Sequence, residues 1–178
     1  ISLASMGQRV LMLDIDFGLN NLDVVMGVEN KVIYDLYTDI VTKAKEQIKQ
    51  LKEEIQAQRE IQKEYAYEYY LMGNECVTKA HDPNAAIRSF DKALKLYPEY
   101  VDAWVRKGIT LLDIGDDYQA LICLKEAVRL NPQSFKARYN RGKVYLRLNY
   151  YEEAIVDLLK AVDVKPKHIA AHEYLAES

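Results

Sequence analysis

Val101–Ser134 reads VDAWVRKGITLLDIGDDYQALICLKEAVRLNPQS, and Phe135–His168 reads FKARYNRGKVYLRLNYYEEAIVDLLKAVDVKPKH. Laid over one another, these 34-residue stretches carry like residues at like offsets: Gly108 over Gly142, Leu111 over Tyr145, Ala120 over Ala154, Leu124 over Leu158, Ala127 over Ala161 and Pro132 over Pro166. A third copy, Ala66–Tyr100, has Gly73, Cys76, Ala86, Phe90, Ala93 and Pro98 in the matching places, with one extra residue between the glycine and the first alanine. A period of this length marks supersecondary units that bury their apolar faces only by stacking on one another. Such arrays present surfaces and rarely assemble a reaction centre.

Each copy is predicted to fold as two helices and two turns. In the middle copy the first helix runs from about Asp102 to Ile114 and stops at Gly115, which enters the left-handed region without steric cost. Asp116 or Asp117 caps the second helix, which runs to about Asn131. Pro132 then bars continuation, and Ser134 is placed to cap the next helix. The last copy puts Asn149 where Gly115 stood, and the first uses Asp82-Pro83, an N-cap followed by proline at the first helical position. The small residues Gly108, Ala120 and Ala127 mark close helix approach, and Leu111, Leu121 and Leu124 fill the remaining space.

An aromatic at repeat position 4 (Trp104), Gly at 8, Ala at 20, a large apolar residue at 24, Ala at 27 and Pro at 32 resemble the tetratricopeptide repeat (TPR). The resemblance covers about residues 66–168. Its departures are Arg138 at position 4, Cys76 at position 11 and the extra residue of the first copy. Ile169–Ser178 begins another first helix and reads as a shortened cap, with Ala170, Ala171, Tyr174 and Leu175 covering the last apolar face.

The family implies that first helices line a concave groove. By that analogy the groove holds Tyr67, Tyr70, Asn74, Val77 and Thr78, then Asp102, Val105, Ile109, Leu112 and Asp113, then Lys136, Tyr139, Lys143, Leu146 and Arg147, with Asn140 beside them. Its middle is expected to be apolar (Val105, Ile109, Leu112), flanked by tyrosines. One end is basic (Lys136, Lys143, Arg147), and Asn74 and Asn140 are placed to bond a peptide backbone. Such a groove suits a protein or peptide with apolar anchors and an acidic end. Of the five clamp positions used by chaperone-binding members, only Asn74 and Lys136 match, and Tyr70, Arg106 and Asn140 replace the others. Chaperone-tail binding is therefore not expected.

Residues 1–40 read differently. Gln8–Asp16, QRVLMLDID, suits a strand buried in a parallel sheet, and Ile1–Gly7 reads as the end of a helix. From about Ser2 to Leu36 the chain is similar to the MinD branch of the ParA/MinD ATPases, specifically at Asp14-Ile15-Asp16, Gly18-Leu19, Asn21-Leu22-Asp23, Met26-Gly27, Glu29-Asn30 and Tyr34-Asp35. That resemblance implies a place near magnesium for Asp14 and near the hydrolytic water for Asp16. No GK[ST] phosphate loop occurs in the chain, so the two aspartates are expected to be relics, with no nucleotide cofactor. Two unlike pieces and a first residue Ile1 in place of Met point to a composite or fused chain. The front carries two Lys/Arg against six Asp/Glu and, being apolar and acidic, is itself a candidate occupant of the groove.

Between the pieces, Ile40–Tyr65 contains no Gly or Pro, and Ala44, Ile48, Leu51 and Ile55 form a narrow helical stripe with Ile61 off register. A helix is expected here, running on into the first repeat as one rod. Its stripe faces either the repeats or a short coiled-coil partner, which leaves a homo-oligomer open.

The predicted organisation is thus mainly α: a MinD-like fragment (1–40) with a short βα-like pattern, a charged helical connector (41–65), an α-solenoid of three repeats (66–100, 101–134, 135–168) and a partial capping helix (169–178). Net charge is −3 with signs interspersed, so nucleic acid is not an expected partner. No apolar run is long enough to span a membrane. Cys76 and Cys123 both fall at packing positions, as free thiols fitting a reducing cytoplasm. His81, His168 and His172 read as surface residues, and no metal site is expected. No nucleophile, acid and base converge, so catalysis is not expected. The alternatives to an interaction scaffold are a partner-completed ATPase segment and a self-assembling structural protein.

Overall fold

The computed structural model describes residues 31–177, in seven α-helices with no strand among them. The helices are α1 (Lys31–Glu75), α2 (Pro83–Leu96), α3 (Val101–Asp113), α4 (Asp117–Leu130), α5 (Phe135–Arg147), α6 (Tyr151–Val164) and α7 (Ile169–Glu177). A π-helical turn, Cys76–Ala80, follows α1 directly. The strand expected over Gln8–Asp16, with Asp14 and Asp16, lies outside the described residues. Contacts divide the chain into Ile1–Gln56 and Ala57–Ser178.

The described part of the first unit is helical from Lys31, earlier than the Ile40 start read from the sequence, because no Gly or Pro interrupts the chain between Gly27 and Gly73. Asp39–Lys43 (2.8 Å) and Lys49–Glu53 (3.9 Å) form exposed i,i+4 pairs along it. Ile40, Ile48, Leu51 and Ile55 are all more than half exposed.

The second unit holds the repeats. α3 packs on α4 and α5 on α6 as hairpins; the end of α1 and the π turn form the first hairpin with α2. The closest approach in each is the glycine. A Cβ on Gly108 would sit 2.7 Å from Leu124 Cγ, and one on Gly142 would sit 2.8 Å from Leu158 Cγ, while one on Gly73 would strike the Phe90 ring. Leu124, Leu158 and Phe90 are fully buried, as are Ala86, Ala93, Ala120, Ala127, Ala154 and Ala161. The small residues thus set the helix separation and the large residue fills the space they leave.

Turns follow from capping chemistry. Gly115 (φ 86°) and Asn149 (φ 61°) both adopt the left-handed conformation. Beyond them, Asp116 N–H donates to Leu111 O (2.9 Å) and Tyr150 N–H to Tyr145 O (2.8 Å), the same closing bond in both repeats. The first repeat absorbs its extra residue in the π turn, where Asp82 N–H donates one residue further back, to Cys76 O (3.0 Å). His81 takes the left-handed position there (φ 51°) and is exposed. The carboxylates of Asp82 and Asp116 and the hydroxyl of Ser134 accept from the backbone N–H three residues on, capping α2, α4 and α5.

At repeat position 4, Trp104 Nε1 donates to Pro98 O (2.8 Å) and Arg138 Nε donates to Pro132 O (2.6 Å). His172 Nε2 lies 2.8 Å from Pro166 O in the same arrangement at the start of α7. Three chemically different side chains thus tie α3, α5 and α7 to the proline turns before them. His168 is equally engaged: its Nδ1 accepts from Ala171 N–H (3.2 Å), capping α7, and its ring packs on Phe135 and Tyr139. α7 buries Ala171 against Phe135 and Ala161.

Gly108→Val is expected to destabilise the repeats by about 1–3 kcal/mol through overpacking, read as a lower urea midpoint with unchanged slope. The exposed Gly115→Ala change, with nothing within 4 Å of its Cβ, is expected to cost only the strain of its positive φ.

Candidate functional site

The face expected to bind lies on the first helices: the end of α1, α3 and α5, with α3 and α5 in mutual contact. The structure separates its residues into two kinds. Tyr70, Asn74, Ile109, Tyr139 and Lys143 are half-buried, and Lys136 and Arg147 are exposed. Val105 and Leu112 are 1% and 3% exposed. They were expected to line an open groove but belong to the core. Val105 packs with Ala127, Val128 and Ala137, and Leu112 with Leu121, Val144 and Tyr145. Each therefore meets both its own hairpin partner and α5 of the next repeat. Stacking consumes these positions in the middle repeat, whereas their counterparts in the first, Tyr70 and Val77, stay half-buried.

Arg147 also differs from the free cation expected. Its Nη1 donates to Leu112 O (2.8 Å) and its Nη2 lies 3.1 Å from Asp117 Oδ1. It joins the carbonyl end of α3 to the first turn of α4, so its charge is used within the stack. Asn140 is 8% exposed and donates Nδ2 to Lys136 O (2.8 Å), which removes that amide hydrogen from ligand binding. Asn74 retains its acceptor: Oδ1 is enclosed and has no hydrogen-bond partner.

Two aromatic clusters remain on this face. In the first, Tyr70 packs on Tyr67, Phe90 and Tyr100, with ring centroids 6.4, 6.1 and 5.1 Å away. Burial, then the neighbouring Tyr70, Asp102 and Tyr67, push the Tyr100 hydroxyl up to about 12. In the second, Tyr139 stacks on Phe135 (5.6 Å) and meets Tyr174 edge-on (5.9 Å). Lys143 Nζ sits 5.8 Å from the Tyr139 ring and 5.6 Å from the Tyr174 ring. Burial raises the Tyr139 hydroxyl, helped by Tyr174 and Glu173, so it stays a neutral donor. Lys136, Tyr139, Asn140 and Lys143 recur at i, i+3, i+4 and i+7, hence on one face of α5.

α5 is fixed from behind by a buried charge cluster that sequence reading missed. Asp157 (1% exposed) accepts from Arg138 Nη1 (2.9 Å), from Arg141 Nη2 (2.8 Å) and from Arg141 Nε. Burial opposes the Arg141 charge, but its bonds to Asp157 outweigh this and its pKa is raised. In the middle repeat the positions of Arg138 and Asp157 hold Trp104 and Cys123, an uncharged pair. Cys123 is buried, which pushes its thiol up to about 11. The paired change from Trp and Cys to Arg and Asp was the available signal.

Comparison with known proteins agrees with this geometry. A family model described as "TPR repeat" matches residues 108–149, and two described as "Tetratricopeptide repeat" match residues 79–121 and 135–168. Among solved structures, an Arabidopsis OM64 TPR domain superposes with a TM-score of 0.62 at 22% identity, covering 65% of this chain and 95% of that one. MamA 41-end from Desulfovibrio magneticus RS-1 gives 0.58 at 34% identity, covering 63% of each chain. The first TPR of Spaghetti (RPAP3), bound to HSP90 peptide SRMEEVD, gives 0.63 at 22% identity over 65% of this chain and 90% of that one. Among curated proteins, the septum site-determining protein MinD of Bacillus subtilis is 60% identical over 40 residues, 22% of this chain and 15% of MinD. Human tetratricopeptide repeat protein 6 is 29% identical over 101 residues, 55% of this chain and 19% of that protein. The chain spans 15% of the Bacillus relative and 6% of a Giardia glycosyltransferase relative, far less than the length of either.

Asp157→Ala is expected to lower stability by about 3–5 kcal/mol, because it strands two buried guanidinium groups. Arg138→Trp combined with Asp157→Cys, the pair found in the middle repeat, should recover only part of that loss, since Arg141 still lacks its carboxylate. Urea unfolding of the two variants beside the unaltered chain reads both effects.

Proposed function

We propose, from the premise that residues 79–168 are tetratricopeptide repeats, that the chain is a non-enzymatic interaction scaffold holding a peptide or partner helix on the first-helix face. The observation that carries this reading is the α5 surface: Lys143 over Tyr139 and Tyr174, with exposed Lys136 two turns away. Tyrosines supply contact area at small entropic cost, and the lysines select for negative charge. Asn74 Oδ1 is enclosed, so it accepts from a main-chain N–H only if its side chain turns toward the ligand. With Arg147 and Asn140 engaged inside the stack and Val105 and Leu112 buried, recognition rests on aromatic anchoring plus two lysines instead of an apolar trough. A ligand with an aliphatic or aromatic anchor and an acidic end fits this surface.

The HSP90-peptide-bound relative shares the fold at 22% identity; its ligand is not carried over. Of the clamp positions at which chaperone-binding members bind carboxylates, this chain's Tyr70, Arg106 and Asn140 differ from the family pattern, and Asn140 donates to Lys136 O of its own helix. Among the described residues no helix is long and apolar enough to cross a membrane.

Fluorescence anisotropy with labelled peptides tests the reading. A peptide bearing one apolar anchor and an Asp/Glu end is expected to bind, and its lysine-ended counterpart not to. Lys143→Glu should weaken binding about tenfold or more, Tyr139→Ala similarly, and added salt should weaken it further. Equal binding of both peptides, or no effect of Lys143→Glu, would sink the proposal.

A further inference from the structure

We propose that α1 pairs with α1 of a second copy of this chain as a parallel, two-stranded coiled coil over Tyr37–Arg59. The helix is continuous through this span. Numbered as heptads with Val41 at position a, the a positions are Val41, Ile48 and Ile55, and the d positions are Tyr37, Ala44 and Leu51. β-branched residues at a favour two parallel strands when leucine stands at d; here all three a positions are β-branched and Leu51 holds one of the three d positions. Ile48, Leu51 and Ile55 are 52%, 56% and 52% exposed, so among the described residues this seam is left open.

The charges agree with that register. The ion pairs along α1 are Asp39–Lys43, Lys49–Glu53 and Glu60–Lys63, and all six residues fall at positions b, c or f, on the outer side. The e positions after Thr38 are Lys45, Lys52 and Arg59, and the g positions following the first two of these are Gln47 and Glu54. An antiparallel pair would set the basic e positions against one another. A parallel pair brings g against the next e of the partner helix, placing Glu54 beside Arg59 of the second copy and Gln47 beside its Lys52. The polar Gln58 and Gln62, next at d and a, end the seam before the repeats begin. Two copies joined this way carry two peptide-binding faces, so a divalent partner gains avidity without new contacts.

Sedimentation equilibrium on the full chain across a wide concentration range is expected to show a reversible monomer–dimer equilibrium. Ile48→Lys, an exposed and helix-compatible change, should abolish the dimer while leaving helix content and the thermal midpoint of the repeats unchanged. Leu51→Cys in a Cys76→Ser background should cross-link into dimers under mild oxidation, since d faces d in a parallel pair. Glu54→Arg should weaken the dimer, and adding Arg59→Glu should restore it. A monomer at every concentration, a dimer indifferent to Ile48→Lys, a larger oligomer, or failure of the cross-link would each overturn the proposal.

Discussion

The separation of the two helices in each hairpin is set by a side chain that is absent. Gly73, Gly108 and Gly142 let the second helix come so near that Phe90, Leu124 and Leu158 occupy the space a Cβ would need. Alanines at the neighbouring contact points keep the approach uniform along the pair. Close packing of this kind tolerates neither a void nor an added methyl without cost. The stack follows: hairpins of like thickness offer like faces, and each repeat covers the next.

Stacking also decides which residues remain for a ligand. Position 5 is buried as Val105 in the middle repeat but half-exposed as Tyr139 in the last, and position 12 is buried as Leu112 but half-buried as Leu146. The chemical character of the face therefore comes chiefly from α5, where α7 supplies only Tyr174 as a partial cover. Charges divide the same way. Arg138, Arg141 and Arg147 serve the fold through Asp157, Asp117 and backbone carbonyls, whereas Lys136 and Lys143 stay toward solvent or over aromatic rings.

Most of the hairpin geometry was legible because it depends on local chemistry. Gly115 and Asn149 announce left-handed turns, Asp82, Asp116 and Ser134 announce caps, and the 34-residue period announces stacking. The extra residue of the first repeat was visible, but its absorption as a π turn depends on Cys76–Ala80 retaining helical bonding and could not be read from spacing. The groove was less legible. Repeat positions name a helix face, but not whether the next repeat covers it, so Val105 and Leu112 were placed in the open. The Arg138–Asp157–Arg141 cluster depends on residues 16 and 19 apart that meet only across the hairpin. The same third dimension gives the half-buried His168 a capping role and ties the exposed His172 to the proline turn.

The glycine contact is tested most directly by a double-mutant cycle on Gly142 and Leu158, using Gly142→Ala and Leu158→Ala singly and together. The added methyl and the shortened leucine share one volume, so the double variant should be more stable than the summed losses imply, with a coupling of about 1 kcal/mol or more. Strictly additive losses would show that the two side chains do not compete for that space, and would contradict the hairpin geometry on which the stack and its binding face depend.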